Sequence, residues 1–322
     1  MKIIRITVAL LAWLFVPQVA HSATLPGIPE FIDEMVAKHQ LKRDEMEKIF
    51  DRAQHLPEVI ELISKPATIK PWLEYRAAFV NRRRVQFGLE FWGKYRKTLL
   101  RAEQQYGVPQ EIIVAVIGVE TIYGRNAGNF RVLDALTTLA FDYPRRAAFF
   151  RSELENYLLL ARQQQFDLLE IRGSYAGAMG IPQFMPSSYR NYAVDFNGNN
   201  TIDLLHEDSD AIGSVANYLQ GYGWIRGEPV AVRARVDGEF PAGEETVRTL
   251  AEWAVAGITA GANLAQTKPA RLIDFTVQEG KEYWLAFNNF EVITRYNNSD
   301  FYAMSVFQLA EELKAAHKAG KP

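Results

Sequence analysis

The sequence predicts a mainly α-helical fold with a small β-containing insertion, and three observations lead to this expectation. Apolar residues recur at helical spacing through most of the 322-residue chain. The alternation of apolar and polar residues that is typical of strands is concentrated in residues 228–284. Hydrophobic residues form 48% of the chain and charged residues 23%, which is the composition of a globular protein rather than of a disordered or polytopic membrane protein.

The first 22 residues have the features of an export signal. Lys2 and Arg5 precede an apolar run from Ile6 to Val16, and small residues surround Ser22. The run is about half of the roughly 20 residues that a membrane-spanning helix needs. We therefore expect a signal peptide rather than an anchor, and a soluble exported protein. The chain contains no cysteine, so disulfides and lipidation of a cysteine are excluded.

Residues 23–100 are predicted to form an N-terminal helical domain. One helix begins near Pro29, and a second carries Met46 and Phe50 on its apolar face. The apolar spacing predicts a single long helix over residues 82–106. The run Arg82–Arg84 is compatible with an anion-binding patch, but a solvated helix start is the interpretation that we prefer.

Residues 101–227 are predicted to contain three helices around an irregular segment. The helices are expected over Glu111–Tyr123, near Arg146–Gln164 and from Asp208 to Gln220. Residues 173–189, which are rich in glycine, methionine and proline, interrupt them.

Residues 228–284 are predicted to form a small β domain. Val230–Val236 alternates apolar and polar positions, Leu272–Val277 and Tyr283–Phe287 look similar, and a helix is expected around residues 245–256. From residue 285 to the end the chain returns to the helical core, with a last helix from about Asp300 to Lys318.

Several classes of active site have no support in the sequence. The five histidines are scattered and form no paired zinc-binding spacing, and no GxSxG, GxGxxG or Walker motif occurs. The 36 basic residues do not exceed the 38 acidic residues, so nothing indicates binding to nucleic acid.

Glu120 is the most unusual residue in the chain. It is the only charge after Glu111 in an otherwise apolar helix, and Val116, Ile117 and Tyr123 are its helical neighbours. Burial of a carboxyl group raises its pKa, which produces a proton donor usable near neutral pH, as in glycosidases. A buried glutamate paired with an arginine, or one that emerges into water at the helix end, remains the alternative.

The segment Ser174–Tyr189 is a candidate ligand-binding loop. Its small residues allow close approach to the backbone, its aromatic rings offer faces for sugars, and Ser174 and Gln183 offer hydrogen bonds. A structural loop that packs under its own aromatic residues fits this composition equally well.

A second irregular segment is a candidate cation-binding loop. Oxygen donors at alternate positions suit a hard cation such as Ca²⁺. The loop departs from an EF-hand because it lacks glycine at the sixth position and glutamate at the twelfth, and an Asx-rich turn is the alternative. The candidate ligands are Asp195, Asn197, Asn199, the carbonyl of Thr201, and Asp210.

Six motifs taken together resemble those of family 3, or B-type, lytic murein transglycosylases. They occur in the order seen in that family, and the resemblance covers about residues 28–318. The motifs are Val119–Gly124, Phe141–Arg146, Ser174–Tyr189, Asp195–Asp203, Asp210–Tyr218 and Val292–Asn297.

The resemblance implies a lysozyme-like catalytic domain over residues 101–227, with an additional helical domain and a small β domain. It implies cleavage of the β-1,4 bond between N-acetylmuramic acid and N-acetylglucosamine in peptidoglycan, with a 1,6-anhydro product. Glu120 corresponds to the single catalytic acid and base. The substrate-binding residues implied by the motifs are Tyr75, Arg145, Arg146, Ser174, Gln183, Tyr296, Asn297 and Tyr302.

The implied chemistry needs no cofactor, although the cation loop implies a structural Ca²⁺. A retaining hydrolase requires a second carboxylate about 5 Å from the acid. No such partner stands out, whereas a transglycosylase can use the N-acetyl group and the C6 hydroxyl of its substrate.

The family also implies a location in the periplasm of a Gram-negative bacterium. Its partners would be peptidoglycan strands and, in addition, proteins of cell-wall synthesis. A lysozyme-type hydrolase and a non-catalytic peptidoglycan-binding protein are the two alternative functions.

Overall fold

The structure is a computed structural model that describes residues 25–65, 70–238 and 246–320. The predicted signal peptide, residues 1–22, lies outside the described residues. None of the helices in the described ranges combines the length and the apolar character that crossing a bilayer requires.

The described chain is mainly α-helical, as the sequence predicts. A short 3₁₀ helix, Pro144–Arg146, precedes the ninth α-helix. The α-helices are α1 (Ile28–His39), α2 (Arg43–Phe50), α3 (Pro57–Ser64), α4 (Trp72–Phe79), α5 (Arg82–Lys94), α6 (Arg96–Tyr106), α7 (Gln110–Thr121), α8 (Val132–Asp142), α9 (Ala147–Gln164), α10 (Pro186–Tyr192), α11 (Asp208–Gly221), α12 (Leu250–Val255), α13 (Asn288–Thr294) and α14 (Asp300–Lys318).

The best predicted helices are those with clear local signals at their ends. Pro29 lies in the first turn of α1, where the missing N–H costs nothing, and α1 ends at Gln40 in the left-handed conformation. Ser299 caps the start of α14, because its side chain accepts a hydrogen bond from the backbone N–H of Tyr302. The helices expected near residues 146–164 and 208–220 are confirmed as α9 and α11.

The prediction of a single helix over residues 82–106 is wrong, because Tyr95 divides it into α5 and α6. Tyr95 has φ −108° and ψ 22°, outside the helical range. Its hydroxyl hydrogen-bonds to Asp208 at the start of α11, and its ring lies 4.8 Å from that of Phe91. A contact with a distant helix therefore accompanies the break, and the spacing of apolar residues cannot predict such a contact.

The predicted β-containing insertion is an antiparallel five-stranded sheet. A capping box at Thr249 starts α12 at Leu250, so this helix is shorter than predicted. The strands are β1 (Phe130–Arg131), β2 (Arg172–Gly173), β3 (Ala231–Val236), β4 (Val247–Thr249), β5 (Ile258–Ala260), β6 (Pro269–Val277) and β7 (Gly280–Ala286). The order of strands in the sheet is β4-β6-β7-β3-β5, and β1 and β2 pair separately.

The sheet supports α4 from one side. The indole N–H of Trp72, at the start of α4, donates a hydrogen bond of 3.1 Å to Glu282 of β7. The Trp72 ring also lies 4.4 Å from the ring of Phe275 in β6 and 5.3 Å from that of Phe301 in α14. These contacts fix α4 against both the sheet and α14.

The helix α7 lies at the centre of the helical core. The helices α5, α6, α11 and α14 pack around it, and every residue from Ile113 to Ile117 is fully buried. Glu120 lies in the last turn of this central helix. The fold therefore brings one carboxyl group to a point where α4, α5, α11 and α14 converge.

Candidate active site

The chain turns sharply directly after Glu120. The helix α7 ends at Thr121, and the next two residues, Ile122 and Tyr123, both adopt left-handed conformations with φ of 53° and 59°. The prediction that this helix continues to Tyr123 is therefore wrong. The Thr121 hydroxyl donates a hydrogen bond of 2.7 Å to the carbonyl of Ile181 and accepts one of 2.9 Å from the N–H of Gly124. Paired left-handed residues without glycine are unusual, and such strain occurs most often at functional sites.

The turn is held by Tyr123, whose ring folds back over α7 and α5. Its hydroxyl donates a hydrogen bond of 3.0 Å to the carbonyl of Arg84. A Cβ atom at Gly118 would lie 2.5 Å from this hydroxyl oxygen, and a Cβ at Gly88 would overlap it as well. Both positions therefore require glycine, and the two glycines allow the turn after Glu120 to pack tightly.

The Glu120 carboxyl group has the properties of a proton donor. Its side chain is half-buried, so a substrate can reach it. Burial raises the pKa of Glu120 to about 7, while a hydrogen bond from Tyr302 and the positive charge of Arg84 act in the opposite direction. The Tyr302 hydroxyl donates this hydrogen bond over 2.5 Å. Glu120 therefore exchanges its proton near neutral pH.

Tyrosine rings form one wall beside Glu120. The rings of Tyr296 and Tyr302 are stacked with centroids 6.3 Å apart, and Tyr218 lies 4.7 Å from Tyr296. Burial and the Glu120 charge raise the pKa values of all three phenols, so these side chains stay neutral. Tyr296 donates to the carbonyl of Pro182 over 2.7 Å, which ties this wall to the glycine-rich segment.

Tyr218 was not among the predicted site residues. It lies at the end of the motif Asp210–Tyr218, so the motif carried the signal, although nothing in its local spacing distinguished the ring from a core residue. Tyr302 and Tyr296 were implied by resemblance only, and the structure brings both to Glu120.

Tyr75 lies on the α4 side of the site. It is half-buried and packs against Phe79 and Phe301, with ring centroids at 5.0 and 5.5 Å. Burial, assisted by the charge of Glu120, raises the pKa of Tyr75 to about 12. Tyr75 contacts Phe301, which directly precedes Tyr302, the residue whose hydroxyl hydrogen-bonds to Glu120, so Tyr75 lies at the edge of the same site.

Ser174 and Gln183 hold the glycine-rich segment in shape. The Ser174 hydroxyl oxygen accepts hydrogen bonds from the N–H groups of Ala176 and Ala178 at 3.3 and 3.0 Å, which leaves its own O–H to donate. Gln183 is left-handed, with φ 53°, and its amide donates to the carbonyls of Ala127 and Gly180. Both side chains thus have a structural role, and each keeps polar capacity for a ligand.

Arg145, Arg146 and Asn297 are exposed. Both arginines lie in the 3₁₀ helix before α9, and the Arg146 guanidinium lies 4.3 Å from the ring centroid of Phe149. Asn297 follows Tyr296 in the turn between α13 and α14. Among the described residues, the cation that acts on Glu120 is Arg84, and neither exposed arginine contributes.

No second carboxylate of the described chain acts on Glu120. Asp134 is buried and forms an ion pair of 2.6 Å with Arg131. The Asp142 carboxylate lies 2.8 Å from the Nε2 atom of His55. Both of these carboxylates are thus engaged away from Glu120.

The candidate cation loop is a series of Asx turns. Asp195 accepts hydrogen bonds from the N–H groups of Gly198, Asn199 and Asn200, and the side chains of Asn197 and Asn199 each accept one from the residue two positions on. Within the described residues, no group of three or more histidine or acidic side chains is arranged to hold a metal. A site here would therefore depend on amide and carbonyl oxygens as well as Asp195.

Asp210 supports the loop through hydrogen bonds to its backbone. It is fully buried, and its carboxylate accepts hydrogen bonds from the N–H groups of Phe196, Asn197 and Asp203 at 2.8, 3.2 and 2.9 Å. Both of its oxygens are thus occupied by the two ends of the loop. The Asp210 carboxylate therefore stabilises the backbone of the loop by hydrogen bonds at both of its ends.

Comparisons with known proteins agree over most of the chain. Residues 25–311 match the family model described as the transglycosylase SLT domain. The chain is 46% identical over 305 residues to membrane-bound lytic murein transglycosylase B of Escherichia coli (strain K12), a match that covers 91% of this chain and 84% of that protein.

Two solved structures extend this similarity to the fold. The Escherichia coli lytic transglycosylase Slt35 in complex with calcium has a TM-score of 0.87 at 46% identity, covering 92% of this chain and 95% of that one. SltB3 from Pseudomonas aeruginosa in complex with NAG-anhNAM-pentapeptide has a TM-score of 0.80 at 30% identity, covering 89% and 78%. The range matched by the family model includes Glu120, both irregular segments and the sheet.

Proposed function

This chain belongs to family 3 of the lytic murein transglycosylases, and on that premise we propose that Glu120 alone moves the protons of the reaction. The arrangement that supports this most strongly is the hydrogen bond of 2.5 Å from the Tyr302 hydroxyl to the Glu120 carboxyl group, whose pKa burial raises to about 7. A group that gives and takes back a proton works best when its pKa lies near the operating pH.

The proposed reaction has two proton transfers. Protonated Glu120 donates to the oxygen of the β-1,4 bond as the bond from the muramic C1 breaks, while the N-acetyl group of the substrate stabilises C1. The Glu120 carboxylate then accepts the proton of the C6 hydroxyl as that oxygen bonds to C1. The Tyr302 hydrogen bond stabilises the intervening carboxylate. Because the nucleophile belongs to the substrate, proximity favours ring closure.

The predicted substrate contacts are part of this proposal. Tyr75, Tyr296 and Tyr302 offer aromatic surface and phenolic hydroxyls beside Glu120, and the exposed Arg145 and Arg146 suit carboxylates of a peptide stem. Ser174 keeps one donor. The complete set is Tyr75, Arg145, Arg146, Ser174, Gln183, Tyr296, Asn297 and Tyr302.

Digestion of purified sacculi is expected to release anhydro-muropeptides. Their mass is one water lower than that of lysozyme products, because no water enters at C1. Mass spectrometry of the soluble fragments separates the functions: reducing ends would contradict the proposal in favour of a hydrolase, and the absence of any release would favour a binding protein. Glu120→Gln is the control for contaminating activity.

We also propose that the segment Asp195–Thr201 holds a structural Ca²⁺. The donor set fits, since Asp195, Asn197 and Asn199 provide side-chain oxygens at alternate positions of a preformed loop and Thr201 a carbonyl. Asp210 supports the site by holding both ends of the loop. A bound Ca²⁺ would cross-link the loop and supply no step of the proton transfers of Glu120. The calcium complex of Slt35 supports the choice of ion.

Saturating Ca²⁺ is expected to raise the melting temperature by roughly 2–5 °C, since the ion would bind the folded state only. Differential scanning calorimetry with millimolar Ca²⁺, with Mg²⁺ and with chelator measures the shift. Asp195→Ala, which removes the one acidic side chain within the segment Asp195–Thr201, should abolish the response. If the wild type does not respond to Ca²⁺, the segment is an Asx-rich turn.

The cell compartment follows from the substrate. Murein lies in the periplasm of Gram-negative bacteria, and the relative from Escherichia coli acts on murein by name. We infer that this chain acts in the same compartment, after export directed by its first 22 residues.

A further inference from the structure

Arg84, in α5, is a buried cation that contacts the C-terminal end of α7, the helix that carries Glu120. Only 9% of Arg84 is exposed. Its Nη1 atom donates hydrogen bonds to the carbonyls of Gly118 and Val119 at 2.5 and 3.1 Å, and its Nη2 atom donates to the carbonyl of Ala78 at 3.3 Å. Among the described residues, no acidic side chain forms an ion pair with it. Burial of a guanidinium without an acidic partner costs free energy, and its contacts indicate a functional reason for it.

The first part of that role lies in the last turn of α7. The final carbonyls of a helix lack intrahelical donors, and the helix dipole makes this end negative. Arg84 donates to the carbonyls of the two residues that directly precede Glu120, of which that of Gly118 also accepts a hydrogen bond from the backbone N–H of Ile122 at 3.2 Å. The guanidinium therefore fixes the backbone from which the Glu120 side chain projects.

The second part lies in the opposite wall of the site. The Arg84 guanidinium carbon lies 5.1 Å from the ring centroid of Phe79, and Phe79 packs against Tyr75 at 5.0 Å. The backbone carbonyl of Arg84 also accepts the hydrogen bond from Tyr123 in the turn after Glu120. One residue thus connects the helix end, the left-handed turn and the aromatic wall on α4.

We propose that Arg84 is a positioning residue for the transglycosylase reaction, which holds Glu120 and Tyr75 in fixed relation across the site. The proposal rests on the role of Glu120 given above. It also assigns a function to the third residue of the run Arg82–Arg84, of which the first two are exposed.

The charge of Arg84 acts on Glu120 as well. The groups that face Glu120 are Tyr75 from α4, Tyr218 from α11, Tyr296 from the turn before α14, Tyr302 from α14 and Arg84 from α5. The phenols have raised pKa values and stay neutral. Among the described residues, Arg84 is therefore the charged group that favours the Glu120 carboxylate against the effect of burial.

Three substitutions separate position from charge. Arg84→Lys keeps the charge and loses the planar fork, Arg84→Gln keeps amide donors and loses the charge, and Arg84→Met loses both. Arg82→Gln, at an exposed position two residues away, is the matched control. The readouts are kcat and KM on a soluble glycan substrate across pH, and the pKa of Glu120 from carbon-13 NMR, in which the Glu120 signal is the one missing in Glu120→Gln.

Without the charge, the pKa of Glu120 rises further, because the carboxylate loses its stabilising cation. In Arg84→Gln and Arg84→Met we expect the NMR pKa and the alkaline limb of kcat to move up together by roughly 0.5–1 pH unit. Arg84→Lys should keep the pKa of the wild type. All three should lower kcat by roughly tenfold or more with a smaller change in KM, because none of them keeps the full fork to Gly118, Val119 and Ala78, and a misplaced acid costs rate. Arg82→Gln should change neither.

An unchanged NMR pKa in folded Arg84→Gln, with kcat as in the wild type, would overturn the proposal for Arg84 and leave that for Glu120 intact. If Arg84→Gln and Arg84→Met do not fold, Arg84→Lys decides. A wild-type kcat in that variant would show that the planar guanidinium is not needed to position Glu120, and it would overturn the proposal for Arg84. An NMR pKa that moves while the kcat profile stays fixed would overturn the catalytic role of Glu120, and the two failures are thus distinguishable.

Discussion

Glu120→Gln is expected to lower the turnover of peptidoglycan by at least the roughly 10²–10⁴-fold that general acid–base catalysis contributes. The amide has nearly the same shape as the carboxyl group and still accepts the hydrogen bond from Tyr302, but it can neither donate the first proton nor accept the second. Release of soluble fragments from sacculi measures the rate, and co-sedimentation with sacculi measures binding, which should persist.

The matched control for this substitution is Glu111→Gln. Glu111 lies in the first turn of the same helix and forms an ion pair of 2.8 Å with Lys314, far from the left-handed turn. Its turnover should stay within about threefold of the wild type, since Glu111 lies at the opposite end of α7 from Glu120 and its carboxylate is paired with Lys314. Residual activity of Glu120→Gln in that same range would remove Glu120 from the mechanism.

The second large effect concerns stability. The folded state holds the Glu120 proton more tightly than the unfolded chain, because its pKa is raised from 4.5 to about 7. The stabilisation that comes with the proton is complete below the unfolded pKa and is lost as pH rises through the folded pKa. The glutamine in Glu120→Gln does not ionise, so this variant has no such loss. Its free energy of unfolding relative to that of the wild type should therefore grow between about pH 4.5 and 7 and then level off.

Urea unfolding of the wild type and Glu120→Gln from about pH 4 to 8 measures this difference, whose growth should approach about 3 kcal/mol at 1.36 kcal/mol for each pKa unit. A difference between the wild type and Glu120→Gln that is constant or shrinks with pH would mean that Glu120 is well solvated in the folded state. The raised pKa would then be wrong, even if Glu120 proved to be catalytic.

Sequence reasoning was strongest where the physical signal is local. The alternation in residues 230–236 predicted β3, since a half-buried strand needs that period whatever surrounds it. Glu120 was visible because a single charge in an apolar helix must either be paired or be functional. The direction of its pKa shift followed from burial alone.

The parts that were missed depend on contacts between distant segments. Arg84 belongs to a run that is typical of a solvated helix start, and its burial is decided by the end of α7, more than 30 residues away. The break between α5 and α6 at Tyr95 is accompanied by its hydrogen bond to Asp208. Asp210 looked like a cation ligand, and the structure directs its carboxylate to three backbone N–H groups. In each case the deciding partner is distant in the sequence, and the spacing of nearby residues does not encode it.

The origin of the oxygen at the muramic C1 tests the single-acid mechanism most directly. Sacculi are digested by the wild type in water enriched in oxygen-18, and the soluble muropeptides are weighed by mass spectrometry. If the Glu120 carboxylate accepts the proton of the C6 hydroxyl as that oxygen bonds to C1, the products are anhydro forms that carry no label. Products with one labelled oxygen at the new end would show that water attacks C1, and they would contradict the mechanism.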